Sequence, residues 1–570
     1  MKLPYGNSNF KSIRTEKCYY IDRTTYIEKL ERFHSKNLIF LRPRRFGKSL
    51  FLSMLRYYYG IEFKDQFEAL FENTYIGINP TEGRGSYHML RFDFSGIETS
   101  TEEKTVSGFL ANVRMSVGNY IDEYLQLSEA QSREILAPDS PANVMKNLFR
   151  AAKRHKMYLL IDEYDHFANE ILAFDFDRFT QHIGENGFVR KFYETLKQAS
   201  GDGIIDRIFI TGVTPITMDG LTSGFNIGID LTTEAEFNGM LGFTKEETVK
   251  VIEDVIKLKA GNLPEKPSIM NDVANWYNGY RFSKDQVETI YNPDMVLYFC
   301  LAILLRGKYP DKMIDNNIAG DYGKIRRLFK IQDEQKNHAV LEELINHGCI
   351  TTTLTGQFSF ERDFNQGDFI SLLFYLGFLS IDSEELTQVR LSIPNHVIRQ
   401  LYWDYFIYLL KDKNQLNFQT EEVHRKIHLM AQENRLDKFV GLLENTLATL
   451  FNRDYIQFDE KYIKVLFVAF ANLTNLYFVK SEPEIEKGYP DLMLLFREPF
   501  RPNYQFIFEL KYLKKKESKQ LKQTALDAEN QLRQYLQTEE LKSKKDLKAW
   551  VIVFVGDKAE VLREICFTEN

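Results

Sequence analysis

Short apolar runs separated by helical stretches organise the chain from Asn37 to about Gly242: Leu38-Ile39-Phe40-Leu41, Met89-Leu90-Arg91-Phe92-Asp93-Phe94, Tyr158-Leu159-Leu160-Ile161 and Arg207-Ile208-Phe209-Ile210. Buried runs alternating with helices predict an α/β unit with a mostly parallel sheet. From Thr244 to about Gln415 helical periodicity takes over. Within that stretch Asp368 to Leu379 reads as an amphipathic helix, and Leu379 to Ile381 with Val389 to Ile393 flank a polar turn. From about Glu421 come helices, the runs Asp491 to Phe496 and Gln505 to Lys511, a long helix from about Ser518 to Gln537, and Trp550 to Val555. That order predicts a small, separate α/β domain. With no internal repeat, low-complexity tract or Gly/Ser linker, the boundaries come from pattern alone, and the expected division is 1–243, 244–420 and 421–570.

The chain is 570 residues long, too many for one hydrophobic core. Its longest apolar run, Val296 to Leu305, falls far short of the ~18 residues of a membrane span, and Met1-Lys2-Leu3-Pro4 opens no signal peptide. The expectation is a cytoplasmic protein with no membrane partner. Cys18, Cys300, Cys349 and Cys566 lack CxxC spacing, which argues against both a disulfide framework and a cysteine zinc site. A net charge of −7 looks wrong for a nucleic-acid binder, yet the stretch Lys511 to Lys548 is lysine-rich, with Lys514-Lys515-Lys516 at its head. A solvated helix face and a nucleic-acid contact explain that stretch equally well from charge alone.

The run Leu38 to Leu41 feeds Arg42-Pro43-Arg44-Arg45-Phe46-Gly47-Lys48-Ser49, and Leu50-Phe51-x-x-Met54-Leu55 continues as a helix. In a phosphate loop, backbone N–H groups and the helix N-terminus cradle anionic oxygens, a lysine neutralises the terminal phosphates and Ser or Thr ligates Mg²⁺. Lys48 and Ser49 fit those roles, beside Gly47. The strict G-x-x-x-x-G-K-[ST] pattern fails, because Arg42 stands where the first Gly belongs and Pro43 has no N–H. Arg44 or Arg45 is expected to substitute charge for the missing amides. The plain alternative is a basic turn before an ordinary core helix. A second element weighs against it: Tyr158 to Ile161 ends in Asp162-Glu163, carboxylates delivered to the strand edge where ligands of open α/β sheets gather. Asp162 would hold Mg²⁺ and Glu163 would polarise the attacking water. Thr211 or Thr214, at the polar end of the Arg207 run, is the candidate sensor of the γ-phosphate, with a turn threonine before Gly212 as the plain alternative.

The second candidate rests on strand geometry. In Gln505 to Lys511, Ile507, Glu509 and Lys511 share one face, so Glu509 and Lys511 point the same way, about 7 Å apart at ~3.4 Å per residue. Asp491 opens the preceding strand, and a hairpin would bring its carboxylate beside Glu509. Two carboxylates suit Mg²⁺ or Mn²⁺, and a neighbouring amine can position or activate the water that attacks phosphorus. That chemistry is phosphodiester hydrolysis. The plain alternative is a cross-strand ion pair on a wet sheet face. Glu482 and Glu460, upstream, are candidates to complete the metal shell, with a surface acid as the equal alternative for each.

These residues resemble a bacterial family in which an AAA-ATPase-like domain is fused to a PD-(D/E)XK nuclease domain. On the ATPase side the likeness spans roughly Leu3 to Tyr298 and includes Tyr20-Ile-Asp-Arg-Thr24, Tyr277-Asn-Gly-Tyr-Arg-Phe282 and Tyr291-Asn-Pro293. On the nuclease side it spans roughly Asp437 to Val555, with Glu460-x-Tyr462, Ser481-Glu482, Gly488-Tyr-Pro-Asp491, Glu509-Leu-Lys511 and Gln531-x-x-x-Tyr535. Tyr489 departs from the Arg often seen there. The resemblance implies a P-loop AAA-like ATPase domain and a C-terminal PD-(D/E)XK restriction-endonuclease-like domain with an α-β-β-β-α-β core; the helix followed by a hairpin between them predicts a helical, winged-helix-like middle region. It further implies ATP, Mg²⁺ or Mn²⁺ and nucleic-acid cleavage, with Gln531 and Tyr535 on the helix flanking the site; Lys514 and Lys515, beside Glu509-Leu-Lys511 in the lysine-rich stretch, are expected nucleic-acid contacts, and DNA is the expected partner. Homo-oligomerisation is compatible with it. The expectation is an ATP-regulated, metal-dependent deoxyribonuclease. The rival, from another class, is a nucleotide-binding regulatory protein whose nuclease-fold domain binds DNA without cutting.

Overall fold

In the computed structural model, which describes residues 1–570 apart from 34, 153–154, 175–186, 217–226, 260–262, 323–324, 359–363, 415–417, 452–459, 501 and 567–570, the run Asn37–Leu41 is strand β1, buried along its length. It joins β2 (His88–Asp93), β3 (Met157–Asp162), β4 (Ile205–Gly212) and β5 (Ile229–Asp230) in a sheet of order β2-β3-β4-β1-β5. Every pairing is parallel. Parallel strands need crossovers that cover both faces, which is why β1 and β3 are near-continuous apolar runs. The arrangement sets the carboxyl ends of β1, β3 and β4 on one edge, with Leu41 opposite Gly212 and the Arg42 N–H donating to Gly212 O at 3.1 Å.

Helices Lys245–Leu258, Lys266–Tyr277 and Pro293–Arg306 follow. The first starts on a reciprocal cap between Thr244 and Glu247, the third on Asn292 with Pro293 at its first turn. The expected helix and hairpin are Gln366–Tyr375, β7 (Ser380–Glu385) and β8 (Gln388–Ser392); the pattern did not disclose β6 (Cys349–Thr352), which completes an antiparallel sheet of order β6-β8-β7. The motif Tyr277 to Phe282 forms a joint to this sheet. Arg281 N donates to Ser380 Oγ at 2.8 Å, Ile381 N to Arg281 O at 3.2 Å, and the Arg281 Nε to Ile381 O at 3.0 Å. Gly279, at φ +99°, passes so close to Pro394 that a Cβ would sit 1.9 Å from its carbonyl oxygen. Only glycine fits there.

The chain divides into two compact units, one of Met1–Lys308, Met313–Leu344 and Gly348–Ile398, the other of Tyr309–Lys312, Ile345–His347 and Arg399–Asn570. In the second, helix Glu460–Leu473 leads into β9 (Tyr477–Ser481), β10 (Leu492–Phe496) and β11 (Gln505–Leu513), then helix Leu521–Tyr535, β12 (Leu547–Val555) and β13 (Lys558–Ile565). The sheet order is β13-β12-β11-β10-β9, with β11 parallel to β12 and the other neighbours antiparallel. Alternation along β11 sends Phe506, Phe508 and Leu510 into a core containing Phe467, whose ring lies 4.7 Å from that of Phe508. Ile507 faces the opposite core, with Ala528 and Leu532. Both faces are thus covered, and the central strand is buried. The long helix starts later than the pattern suggests, because Lys515–Gln520 is a 3₁₀ turn. The architecture as a whole is multidomain α/β, with a helical middle.

Gly279→Ala is expected to destabilise the protein by at least ~1–3 kcal/mol, through backbone strain and the clash with Pro394. Gly356→Ala, where a Cβ meets nothing within 4 Å, should stay within ~0.5 kcal/mol. Urea unfolding followed by circular dichroism compares the two, and equal midpoints would refute the joint.

Candidate functional site

At the carboxyl edge of the parallel sheet, the turn after β1 and the turn after β3 line one cavity of about 430 Å³. Arg42 does not face it. Its guanidinium is 1% exposed, lies 4.2 Å from the Phe40 ring and 4.3 Å from the Phe282 ring, and donates to the carbonyls of Leu41, Thr232 and Phe237 at 2.7–3.0 Å. Burial lowers its pKa to about 9, so it stays cationic at neutral pH. Arg42 therefore fastens the loop to the β5 turn and to the Phe282 segment. Arg44 and Arg45 line the cavity together with Arg23, with Arg44 Nη2 3.3 Å from His166 Nδ1 and Arg45 Nη1 3.4 Å from Asp294 Oδ2.

Gly47 (φ +97°) caps the helix Lys48–Tyr59. The Lys48 ammonium bends over its own loop, donating to Arg42 O at 3.1 Å and Pro43 O at 3.2 Å, with Glu163 Oε1 at 3.6 Å. Asp162 is 1% exposed; burial and then the neighbouring Glu163 push its pKa up to about 6, against the pull of a Ser49 hydrogen bond and Lys48. Its Oδ1 is buried without a hydrogen-bond partner. Burial pushes Glu163 up too, but the charges of Lys48, His166 and Arg44 outweigh it and hold the carboxyl below its usual range. Glu163 (φ +50°) and Arg45 (φ +69°) both adopt left-handed backbone beside the cavity, the sort of local strain that gathers at functional sites. Thr211 is not among the cavity's lining residues; its hydroxyl donates to Phe40 O at 2.8 Å. His166 and Asp294 went unnoticed in the sequence, where a helix-start histidine and a helix-start aspartate carry no signal of their own.

In the second unit, the pairing Leu492↔Phe508 sets Asp491 opposite Glu509 at the end of the β10–β11 ladder. There Asp491 Oδ2 accepts the Leu510 N–H at 2.8 Å. Lys511 Nζ lies 2.8 Å from Glu509 Oε1, 3.7 Å from Asp491 Oδ2 and 3.7 Å from Glu460 Oε1. The Glu509 face is not wet: the residue is 1% exposed, and its Oε2 is buried with no hydrogen-bond partner. Burial, then Asp491, pushes Glu509 up to about 7, with Lys511 opposing. Burial works against the Lys511 ammonium, yet Asp491, Glu509 and Glu460 more than reverse it and hold its pKa above the ordinary lysine value. Glu482 stands apart, its exposed carboxylate paired with Lys464. Gln531 Nε2 donates to the Tyr535 hydroxyl at 2.6 Å, and that hydroxyl to Tyr489 O at 3.3 Å. Lys514 is exposed, and Lys515 pairs with Asp557 at 2.9 Å. Among the described residues, no group of three or more His, Cys, Asp and Glu side chains is arranged to hold a metal ion. The carboxylates gather round the ammonium instead. Taken site by site, the carboxylates nonetheless suit a hard divalent ion, since Asp162 in the first unit and Glu509 in the second each keep one buried oxygen without a partner.

The first unit thus carries a parallel sheet with a lysine-serine turn at its carboxyl edge, and the second a mixed sheet with Asp, Glu and Lys at one ladder end. The comparisons agree: residues 4–222 match the family described as "Predicted AAA-ATPase", and residues 458–564 match the PD-(D/E)XK nuclease superfamily. The chain thus joins an N-terminal AAA-ATPase-like domain to a C-terminal PD-(D/E)XK nuclease-like domain. It is 27% identical over 305 residues to the "Uncharacterized protein in vnfD 5'region" of Azotobacter chroococcum mcd 1, covering 52% of this chain and 52% of that protein. The chain therefore spans about half the length of this curated relative. It also aligns with the Walker-type ATPase PABY2304 of Pyrococcus abyssi at 12% identity and a TM-score of 0.35, over 67% of this chain and 94% of that one; so low a score carries no assignment. Among the described residues, no helix is long and apolar enough to cross a membrane.

Both raised carboxylates set a sign for stability. A carboxyl whose folded pKa exceeds its unfolded value stabilises the fold below the unfolded pKa, and that contribution is lost as pH rises through the folded pKa. The windows run from the ordinary carboxylate range up to about 6 for Asp162 and about 7 for Glu509. Asp162→Asn is therefore expected to raise stability at pH 8 by on the order of 1–3 kcal/mol, with the gain shrinking towards pH 5. Thermal melts across pH test this, and a variant less stable than wild type at pH 8 would contradict it.

Proposed function

We propose that the protein is an ATP-binding and ATP-hydrolysing enzyme whose C-terminal domain hydrolyses DNA phosphodiester bonds with Mg²⁺ or Mn²⁺. The observation that carries this reading is the meeting of Asp491, Glu509 and Lys511 at one strand end, with a buried Glu509 oxygen left without a partner. A divalent ion held by Asp491 and Glu509 would supply positive charge where the attacked phosphate accumulates negative charge. Lys511, released from those carboxylates, would hold and orient the attacking water, and the exposed lysines from Lys514 would meet the DNA backbone. Tyr535 and Gln531 would support the turn that leads into Asp491.

At the first site, the Lys48 ammonium would exchange the carbonyls of Arg42 and Pro43 for the terminal phosphates, and Ser49 with Asp162 would hold Mg²⁺. Glu163, kept ionised by its cationic neighbours, would accept the proton of the attacking water. Arg44 and Arg45 would add the charge that a glycine-rich loop supplies with amides. A γ-phosphate role for Thr211 would require its hydroxyl to leave Phe40 O. In this reading residues 1–243 form the ATPase domain, 244–420 the helical and winged-helix-like region and 421–570 the nuclease domain, and the protein works in the cytoplasm. A second reading, DNA binding without cleavage, draws on the ammonium that occupies the middle of the carboxylates. Glu482, tied to Lys464, enters neither reading unless that pair opens.

Supercoiled plasmid incubated with Mg²⁺ or Mn²⁺ separates the two. Wild type is expected to nick it, and Asp491→Ala to lose at least about 100-fold in rate. Binding by wild type with no cleavage under either metal would leave the second reading. Phosphate release from ATP is expected to fall about 100-fold in Lys48→Ala. A rate indifferent to Lys48 would remove the ATPase assignment.

A further inference from the structure

Tyr489 stands two residues before Asp491 and is 57% exposed, one of the few large aromatic side chains open to solvent among the described residues. Its backbone, in contrast, is held from several sides. Ile485 and Gly488 exchange both backbone hydrogen bonds, at 2.9 and 3.1 Å, closing a tight hairpin whose tip is Glu486-Lys487. Gly488 lies at φ +133°, and a Cβ there would stand 3.0 Å from Tyr535 Cε1, so the tyrosine ring of the helix packs directly on the glycine. The hydroxyl of that ring, on a residue only 4% exposed, donates to Tyr489 O while accepting from Gln531 Nε2. Pro490 fixes φ at the next position. The result is an exposed aromatic side chain on a firmly held backbone, two residues before the buried Asp491.

An exposed aromatic ring carried on a firmly held backbone is suited to an aromatic surface that arrives from outside. Resting on the nuclease reading above, we propose that Tyr489 is a stacking platform for an unpaired nucleobase next to the scissile phosphate, so that the preferred substrate is single-stranded or frayed nucleic acid. Every base has a π-face, and base stacking on aromatic side chains tolerates sequence. In an intact duplex that face is already covered by neighbouring pairs, so the ring gains nothing there without unstacking a base. Gln531 and Tyr535 act as positioning residues for the platform, through Tyr489 O.

Cleavage of a labelled single-stranded oligonucleotide and of the same sequence as blunt duplex, by the full chain, measures the preference. Tyr489→Ala is expected to raise the half-saturating concentration of the single strand about tenfold and to leave that of the duplex within twofold. Tyr489→Phe should restore wild-type behaviour, and equal melting temperatures should show both variants folded. An equal loss on the two substrates, or none on either, overturns the proposal while the nuclease reading stands. Should wild type cut neither, irradiation of Asp491→Asn protein with a 5-iodouracil-substituted single strand still decides. A cross-link at Tyr489 that the duplex competes poorly for supports the platform, and its absence rejects it.

Discussion

A carboxylate on the central strand of a sheet, nearly out of reach of water, costs several kcal/mol unless opposite charge answers it. Glu509 is in that position, and the Lys511 ammonium at 2.8 Å is the answer. The requirement reaches outward from this pair. Glu509 and Lys511 share a face because β11 is a regular strand, β11 is regular because both its faces are covered by helices, and Asp491 joins them because β10 pairs with β11 in a fixed register. A slip of one residue would turn both charged side chains into the phenylalanine core. The apolar layers of the nuclease-like domain thus hold a polar cluster in place.

The first unit applies the same physics at another strand end. Asp162 is buried at the close of β3, and the chain's own Lys48 lies over the adjoining loop. In both places a cation of the protein sits among carbonyls or carboxylates, and one buried carboxylate oxygen has no partner. Such sites store unfavourable free energy that a suitable ligand relieves. Arg42 contributes differently. Where a phosphate loop begins with glycine, this chain places a guanidinium turned inward between two rings, binding the loop to segments that follow the sheet.

Periodicity made much of this legible. Alternation along Gln505 to Lys511 put Glu509 and Lys511 on one face, and a run ending in Asp162-Glu163 marked a strand edge, because both inferences need only local geometry. The residues that escaped depend on partners distant in sequence. Arg42 chooses the carbonyls of Thr232 and Phe237, Thr211 chooses Phe40 O, and Glu482 chooses Lys464. No spacing rule reports those choices. Strand β6 went unseen for the same reason, since four residues gain strand character only from the neighbour they pair with.

The most direct measurement is Mn²⁺ binding by the nucleotide-free protein, followed by electron paramagnetic resonance from pH 6 to pH 8. The account predicts binding that strengthens as pH rises, because burial and Asp491 hold the Glu509 carboxyl well above the usual carboxylate range, and that disappears in Asp491→Asn. Affinity unchanged by that substitution, or no bound Mn²⁺ at pH 8, would contradict a metal-dependent centre at Asp491, Glu509 and Lys511.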